Sequence, residues 1–123
     1  MRILCICDGG NSRSGTMANI LRRLGHDALS ASAEKNSRGT LSALCDWAER
    51  IYALSDEAKR AVPRAIRINV GEDHWGQTMA PPLVARCLDA LWSYSQANLV
   101  FRDRIPDPKP FQADKPDTSD QGW

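Results

Sequence analysis

The chain has few histidines, no long apolar run and almost no excess of charge of either sign. Its 123 residues include 16 Lys and Arg against 15 Asp and Glu, which leaves a net charge of +1. A large basic field is therefore lacking, which argues against nucleic acid and anionic membranes as partners. No apolar run approaches the roughly 18–20 residues that span a bilayer. His26 and His74 are too few and too far apart in the sequence to hold a metal by themselves.

Cysteine is also sparse, and its spacing excludes the common cysteine motifs. The four cysteines form no CxxC pair and no Cys/His cluster with metal-site spacing. Cys45 and Cys87 fall on apolar faces of predicted helices, which indicates core packing. The apolar start of the chain is too short for a signal peptide and ends at Asp8. We therefore expect a cytoplasmic protein with free thiols and with no metal or cofactor.

Four strand-like segments, at about residues 2–7, 28–33, 50–54 and 66–70, alternate with four helix-like ones. This alternation predicts an α/β domain with a parallel sheet. The predicted helices begin near Ser14, near Thr40, after Ser55 as an N-cap, and at Pro81. The first and third strands are continuously apolar, whereas the second and fourth alternate. Buried central strands are continuous and half-covered edge strands alternate, so we expect a doubly wound sheet of order 2-1-3-4 with helices on both faces.

The alternation also predicts which side chains of the second strand point inward. They are Leu29, Ala31 and Ala33. A change of composition near residue 102 marks the end of the predicted domain, residues 1–101. Residues 102–123 are rich in Pro, Asp and Lys, and we expect an extended or disordered tail there.

The loop after the first strand carries the chemistry that the sequence predicts. Its residues run Cys7-Asp8-Gly9-Gly10-Asn11-Ser12-Arg13-Ser14. A strand, a glycine-containing loop and a helix start form an anion site, because backbone N–H groups and the helix dipole converge on the ligand. A cysteine six positions before an arginine lets the loop surround one tetrahedral anion, with Cys7 beneath it and Arg13 clamping two oxygens. The same positive field favours the thiolate of Cys7, to which Ser14 can donate a hydrogen bond. Cys5 shares a strand face with Cys7 and is expected in the core.

This loop resembles the phosphate loop of the low-molecular-weight protein tyrosine phosphatases. The resemblance rests on residues 3–14, on Met17-Ala18 and on residues 47–57, and it extends over about residues 2–98. It implies a phosphomonoester hydrolase with Cys7 as the nucleophile and Arg13 as the phosphate clamp. The backbone and side chains of residues 8–14 would bind the phosphate. The reaction would run through a phosphocysteine intermediate, on a phosphotyrosyl protein or a small phosphate ester.

Three positions depart from that family. Gly10 stands where an asparagine is usual, Ser12 where a second cysteine is frequent, and Asp8 places an anion beside an anion site. These changes leave open the alternative that the chain binds phosphate without catalysing its hydrolysis. A thiol-dependent arsenate reductase is another alternative, although it needs a relay of further cysteines. A sugar-phosphotransferase phosphocarrier has a similar cysteine loop, but Arg13 argues against it.

Two aspartates compete for the role of general acid. Asp107 lies in an Asp-Pro sequence like that of the family, but only a polar tail follows it. Asp73 lies after the fourth strand and before the last helix, which is the family's position for the acid. We therefore expect Asp73 to be the acid, with Glu72 as a weaker third candidate. His74 and Trp75 would then flank the ring of a phosphotyrosyl substrate.

Overall fold

The computed structural model describes residues 1–9, 12–71 and 78–97, with the side chains described as far as residue 94. Its elements in chain order are β1 (Arg2–Cys7), α1 (Ser12–Arg23), β2 (Asp27–Ser32), α2 (Arg38–Trp47), β3 (Arg50–Ala53), α3 (Asp56–Ala61), β4 (Ile66–Arg67) and α4 (Pro81–Ala97). The four strands form one sheet in the order β2-β1-β3-β4, and every pairing is parallel. This confirms the predicted α/β class and strand order.

Two apolar clusters cover the two faces of the sheet, which confirms the doubly wound arrangement. On one face α1 and α4 pack over β1, and Met17, Ile20, Leu83 and Leu91 are fully buried there. On the other face α2 and α3 pack over β1 and β3, around Ile6. β1 is buried from Ile3 to Cys7 because it has a strand on each side and helices above and below. The chain therefore leaves β1 at the centre of the sheet's carboxyl edge.

Local signals set the starts of three helices. Ser37 caps α2 by accepting a hydrogen bond from the backbone N–H of Thr40, and Ser55 caps α3 by accepting one from Ala58. The predicted cap at Ser55 is thus confirmed. Pro81 is the first residue of α4, as predicted. Proline suits this position because the backbone N–H that it lacks would have no intrahelical partner in the first turn.

β4 is shorter than the sequence predicts, and its partner strand explains the difference. We expected a strand to Val70, but the paired residues are Ile66 and Arg67, followed by one further backbone bond from Ile68 to Ala53. β3 cannot extend this ladder, because Ser55, the next residue that could face β4, already caps α3, and the Ile68 carbonyl accepts from the Arg67 guanidinium. Beyond Ile68 the alternation therefore reflects burial without strand pairing.

The prediction for the inward face of β2 was wrong at Leu29. This side chain is 38% exposed, whereas Ala28 on the opposite face is 2% exposed beneath α1. Ala31 and Ala33 do pack in the cluster below α2, as expected. β2 is an edge strand, and the packing on that face reaches its carboxyl half without covering Leu29.

Candidate active site

Cys7 is the last residue of β1, and its side chain is buried against the first turn of α1. Its Sγ atom and Ser14 Oγ are hydrogen-bonded at 3.0 Å, and both residues have no exposed surface. A serine hydroxyl can accept from a thiol or donate to a thiolate. The contact that we predicted between Ser14 and Cys7 is therefore present, in a geometry that serves either protonation state of the thiol.

α1 begins at Ser12, two residues before the predicted start, so Arg13 and Ser14 lie in its first turn. The first turn contains no acidic residue, and Arg22 and Arg23 occupy the last turn. Unpaired backbone N–H groups and the helix dipole give the start of a helix positive potential. That end of α1 lies beside Cys7, as the strand–loop–helix pattern predicted.

Arg13 is a buried arginine that ties the loop after β1 to two other loops. It is 4% exposed, and its Nη1 donates to the Leu54 carbonyl at 3.2 Å and to the Gly71 carbonyl at 3.0 Å. Its Nε is buried without a hydrogen-bond partner in the described part of the chain. A buried charged donor without a partner costs free energy. An anion bound within reach of Arg13 would supply an acceptor for this group.

Asp8 points into the site and binds Arg13. Its Oδ2 lies 3.4 Å from Arg13 Nη2, and its other carboxylate oxygen accepts a hydrogen bond from the Ser55 hydroxyl. The side chain of Asp8 keeps 32% of its surface exposed, so solvent reaches the pair. The sequence left the direction of this side chain open. The structure places a protein carboxylate where it competes with any anion for one face of Arg13.

The segment after β2 supports the outside of the loop. Ala33 and Glu34 donate backbone hydrogen bonds to the carbonyls of Cys7 and Asp8, at 2.9 and 3.1 Å, and the Ser32 hydroxyl also donates to the Asp8 carbonyl. A Cβ atom on Gly9 would lie 2.5 Å from a carboxylate oxygen of Glu34. This oxygen ends a flexible side chain that can move aside, so the contact does not by itself require a glycine, but it places a second carboxylate beside the loop.

Both ends of the segment that carries Asp73 are attached to α1. The Gly71 carbonyl accepts from Arg13, and the Met79 backbone N–H donates to the Thr16 hydroxyl at 2.8 Å. Gly71 has φ of +87° and Met79 has φ of +65°, so the chain turns sharply at both points. The described residues on both sides of positions 72–77 therefore lie at the same sheet edge as Cys7.

Several residues of the predicted site lie outside the described residues. They are Gly10 and Asn11 of the loop, Glu72, Asp73, His74 and Trp75 after β4, and Asp107 with the rest of the predicted tail. The described residues that the structure brings together are Cys7, Asp8, Arg13 and Ser14, with Gly9 and Ser12 on either side of the gap in the loop.

The other three cysteines lie in the core, as predicted. Cys5 and Cys87 are fully buried on the same sheet face as Cys7, whereas Cys45 lies on the opposite face. Burial raises the pKa of the Cys87 thiol to about 12, and it raises the pKa of Cys5 and of Cys45 as well. None of these three thiols is readily ionised at neutral pH, which makes each a poor nucleophile.

Within the described ranges, no group of three or more His, Cys, Asp or Glu side chains could hold a metal ion. No helix in this part of the protein is both long and apolar enough to cross a membrane.

Three residues of the site were not predicted from the sequence. Ser55 binds Asp8, Thr16 holds Met79, and Leu54 supplies a carbonyl to Arg13. The strand order could have indicated two of them, Leu54 and Ser55, which follow β3. Because β1 and β3 are adjacent and parallel, the residues that follow β3 must lie beside those that follow β1.

The fold and the site together define a doubly wound α/β protein with a cysteine and an arginine at a loop between a central strand and a helix. Comparisons with protein-family models, with curated proteins and with solved structures found no match for this chain.

Proposed function

We propose that this chain is a cysteine-dependent phosphomonoester hydrolase, acting as a protein tyrosine phosphatase with Cys7 as the nucleophile. The observation that carries the proposal is the buried Arg13, whose Nε has no acceptor among the described residues, next in the chain to the Ser14 that is hydrogen-bonded to Cys7. A tetrahedral oxyanion satisfies such a donor, and arginine suits phosphate because its fork reaches two oxygens. The resemblance of residues 3–14 to a phosphatase loop supports the same chemistry.

The reaction runs in two displacements at phosphorus. The Cys7 thiolate forms the S–P bond while the ester P–O bond breaks, and the leaving oxygen takes a proton from Asp73. Water then attacks the phosphocysteine, the S–P bond breaks, and the same carboxylate accepts a proton from the water. Arg13 and the N–H groups at the start of α1 bind the phosphoryl oxygens in both steps. Ser14 donates to the sulfur when it becomes the leaving group.

Turnover of para-nitrophenyl phosphate by the purified chain, with inhibition by vanadate, tests this proposal directly. We expect release of para-nitrophenol without added metal and in the presence of a chelator. Thiol-dependent production of arsenite from arsenate would instead identify a reductase. A reductase needs further cysteines that can reach Cys7 in a thiol relay. Cys5 and Cys87 are fully buried, and Cys45 lies on the opposite face of the sheet from Cys7, so their positions disfavour that alternative.

A phosphate-binding protein without turnover is the second candidate function. The pairing of Asp8 with Arg13 favours it, because a resident carboxylate weakens the attraction of the site for a dianionic ester. Binding of phosphate or vanadate without any release of para-nitrophenol would select this alternative.

Removal of the Asp8 charge is expected to strengthen phosphate binding. The Asp8→Asn side chain can still accept from Arg13 through its amide oxygen and can donate to the Ser55 hydroxyl through its amide nitrogen, but it carries no charge that repels an anion. Charges a few ångströms apart near a protein surface interact by several kcal/mol, so we expect the inhibition constant of inorganic phosphate to fall by at least about fivefold. The effect should be largest at low salt, where screening is weakest.

The matched control is Asp27→Asn, which removes an exposed carboxylate from the opposite end of β2. It should leave the inhibition constant unchanged. An unchanged constant in Asp8→Asn as well would show that the Asp8 carboxylate does not act on bound phosphate. A weaker binding would show that this carboxylate takes part in holding the anion.

Asp73 is expected to act as the general acid. Gly71, two residues earlier, is bound by Arg13, so chain connectivity keeps Asp73 within about 7.6 Å of Gly71 between Cα atoms. A tyrosyl leaving group has a pKa of about 10, so its departure depends on proton transfer. We expect Asp73→Asn to lower kcat on phosphotyrosine by at least about tenfold, within the range for a general acid. The loss should be much smaller on para-nitrophenyl phosphate, whose leaving group is more acidic.

Deletion of residues 103–123 provides the comparison, because it removes Asp107. We expect this truncated chain to retain most of its activity on both substrates. If the deletion produces the leaving-group-dependent loss and Asp73→Asn does not, the acid is Asp107.

A further inference from the structure

A charged cleft of about 800 Å³ opens from the site toward the β4 edge of the sheet. Its lining holds four arginines, namely Arg13, Arg60, Arg67 and Arg86, and three carboxylates, namely Asp8, Asp56 and Glu57. Of the residues described, each carboxylate pairs with one arginine, in the pairs Asp8–Arg13, Asp56–Arg67 and Glu57–Arg60. Arg86 is the arginine of this lining that has no carboxylate partner among the described residues. Its Nε donates a hydrogen bond to the Val70 carbonyl at 3.4 Å.

Arg86 lies close to Arg13, on the other side of Gly71. Arg13 donates to the Gly71 carbonyl, and a Cβ atom on Gly71 would lie 2.7 Å from Arg86 Nη2. The two guanidinium groups are therefore at most roughly 9 Å apart, given standard bond lengths within Gly71. Two like charges at this distance repel each other, and an anion bound near each of them removes that repulsion.

The cleft continues past Arg86 as a second one of about 540 Å³, which shares Arg67, Asn69 and Arg86 with the first and ends at Ser93 and Tyr94. Both follow β4, which lies at the edge of the sheet and, among the described residues, pairs with a strand on one side only. A groove that extends along a sheet edge suits an extended peptide better than a small ester. Asp89 lines the second cleft but not the first, so negative charge is favoured beside Arg86 in the first cleft and disfavoured in the second.

We propose that Arg86 is a specificity-determining residue that selects phosphotyrosyl peptides with an acidic side chain next to the phosphotyrosine. The inference rests on the proposed function, and it deepens it by naming a class of peptide substrate. The phosphoryl group occupies the loop after β1 beside Arg13, and the flanking carboxylate pairs with Arg86. Further acidic residues along the peptide bring no gain, because they approach Asp89.

The test compares two phosphotyrosyl peptides that differ only in Glu or Gln beside the phosphotyrosine. We expect kcat/KM of the wild type to be roughly fivefold higher for the Glu peptide, the size of one solvent-exposed ion pair. The ratio should fall to about one in Arg86→Gln and also in the wild type at high salt. The control Arg38→Gln removes an exposed arginine at the start of α2, outside the cleft, and should keep the wild-type ratio.

A ratio near one in the wild type, or an unchanged ratio in Arg86→Gln, would overturn the inference. Because each ratio is measured within one protein, a change in overall rate does not affect it. Turnover of para-nitrophenyl phosphate reports the proposed function separately, since that ester has no flanking group. If this turnover is absent, the same Glu and Gln peptides are titrated against the Cys7→Ser chain, with and without Arg86→Gln, and the ratio of dissociation constants decides the inference.

Discussion

Cys7→Ser should lower kcat on every phosphate ester by at least about a thousandfold, the order of loss that follows removal of a nucleophile. Serine keeps the size of the side chain and its hydrogen bond to Ser14, but its hydroxyl does not ionise at neutral pH as a thiol can. Arg13 and the start of α1 remain in place, so phosphate or vanadate should still bind. Steady-state turnover and a vanadate titration on the same preparation measure the two effects.

Cys5→Ser is the matched control, because it makes the same chemical change two residues earlier on the same strand face. Cys5 is fully buried, and its hydroxyl replacement would lack the partner that Ser14 gives to residue 7. A buried hydroxyl without a partner costs about 1–3 kcal/mol, so this variant should lose several degrees of Tm while it retains most of its activity.

The two variants should therefore show opposite behaviour, in which one loses turnover and the other loses stability. Cys5→Ala provides a second control in case the serine variant does not fold. Wild-type rates in Cys7→Ser would remove Cys7 from the reaction and refute the proposed function.

Arg13→Lys should lose about a hundredfold or more in kcat/KM although the positive charge is retained. A planar guanidinium binds two phosphoryl oxygens at once, whereas a lysine ammonium offers a single point charge on a flexible stem. Loss of one positioned donor to a transition-state oxyanion costs about 10²–10³-fold. Lysine would also give up at least one of the hydrogen bonds that Arg13 Nη1 makes to Leu54 and Gly71.

Arg23→Lys makes the same replacement on the same helix, at a half-buried position whose guanidinium binds Asn19. It should retain the activity of the wild type. Phosphate inhibition should weaken in Arg13→Lys and stay unchanged in Arg23→Lys. Near-normal kcat/KM in Arg13→Lys would mean that its fork does not hold the transferring phosphoryl group.

Much of the fold could be predicted because its signals are local. Continuous apolar runs marked β1 and β3 as central strands, Ser55 marked the start of α3, and Pro81 that of α4. The parallel sheet then followed from the alternation of strands and helices. The same reasoning was wrong for Leu29, because alternation along an edge strand does not indicate how much of each face the neighbouring helices cover.

In the site too, contacts between residues close in the sequence could be predicted, whereas contacts between distant residues could not. The strand–loop–helix order around Cys7 and Ser14 could be predicted from the sequence, because these residues are close neighbours in the chain and Ser14 lies in the first turn of the helix that follows the loop. The surroundings of Arg13, by contrast, depend on segments that are distant in the sequence and meet only in the folded protein. Its carbonyl partners at Leu54 and Gly71 are 41 and 58 residues away in the sequence and meet it because parallel strands end at one sheet edge. The inward direction of Asp8 was decided in the same way, since its second partner is Ser55, the residue that caps the helix after the neighbouring strand.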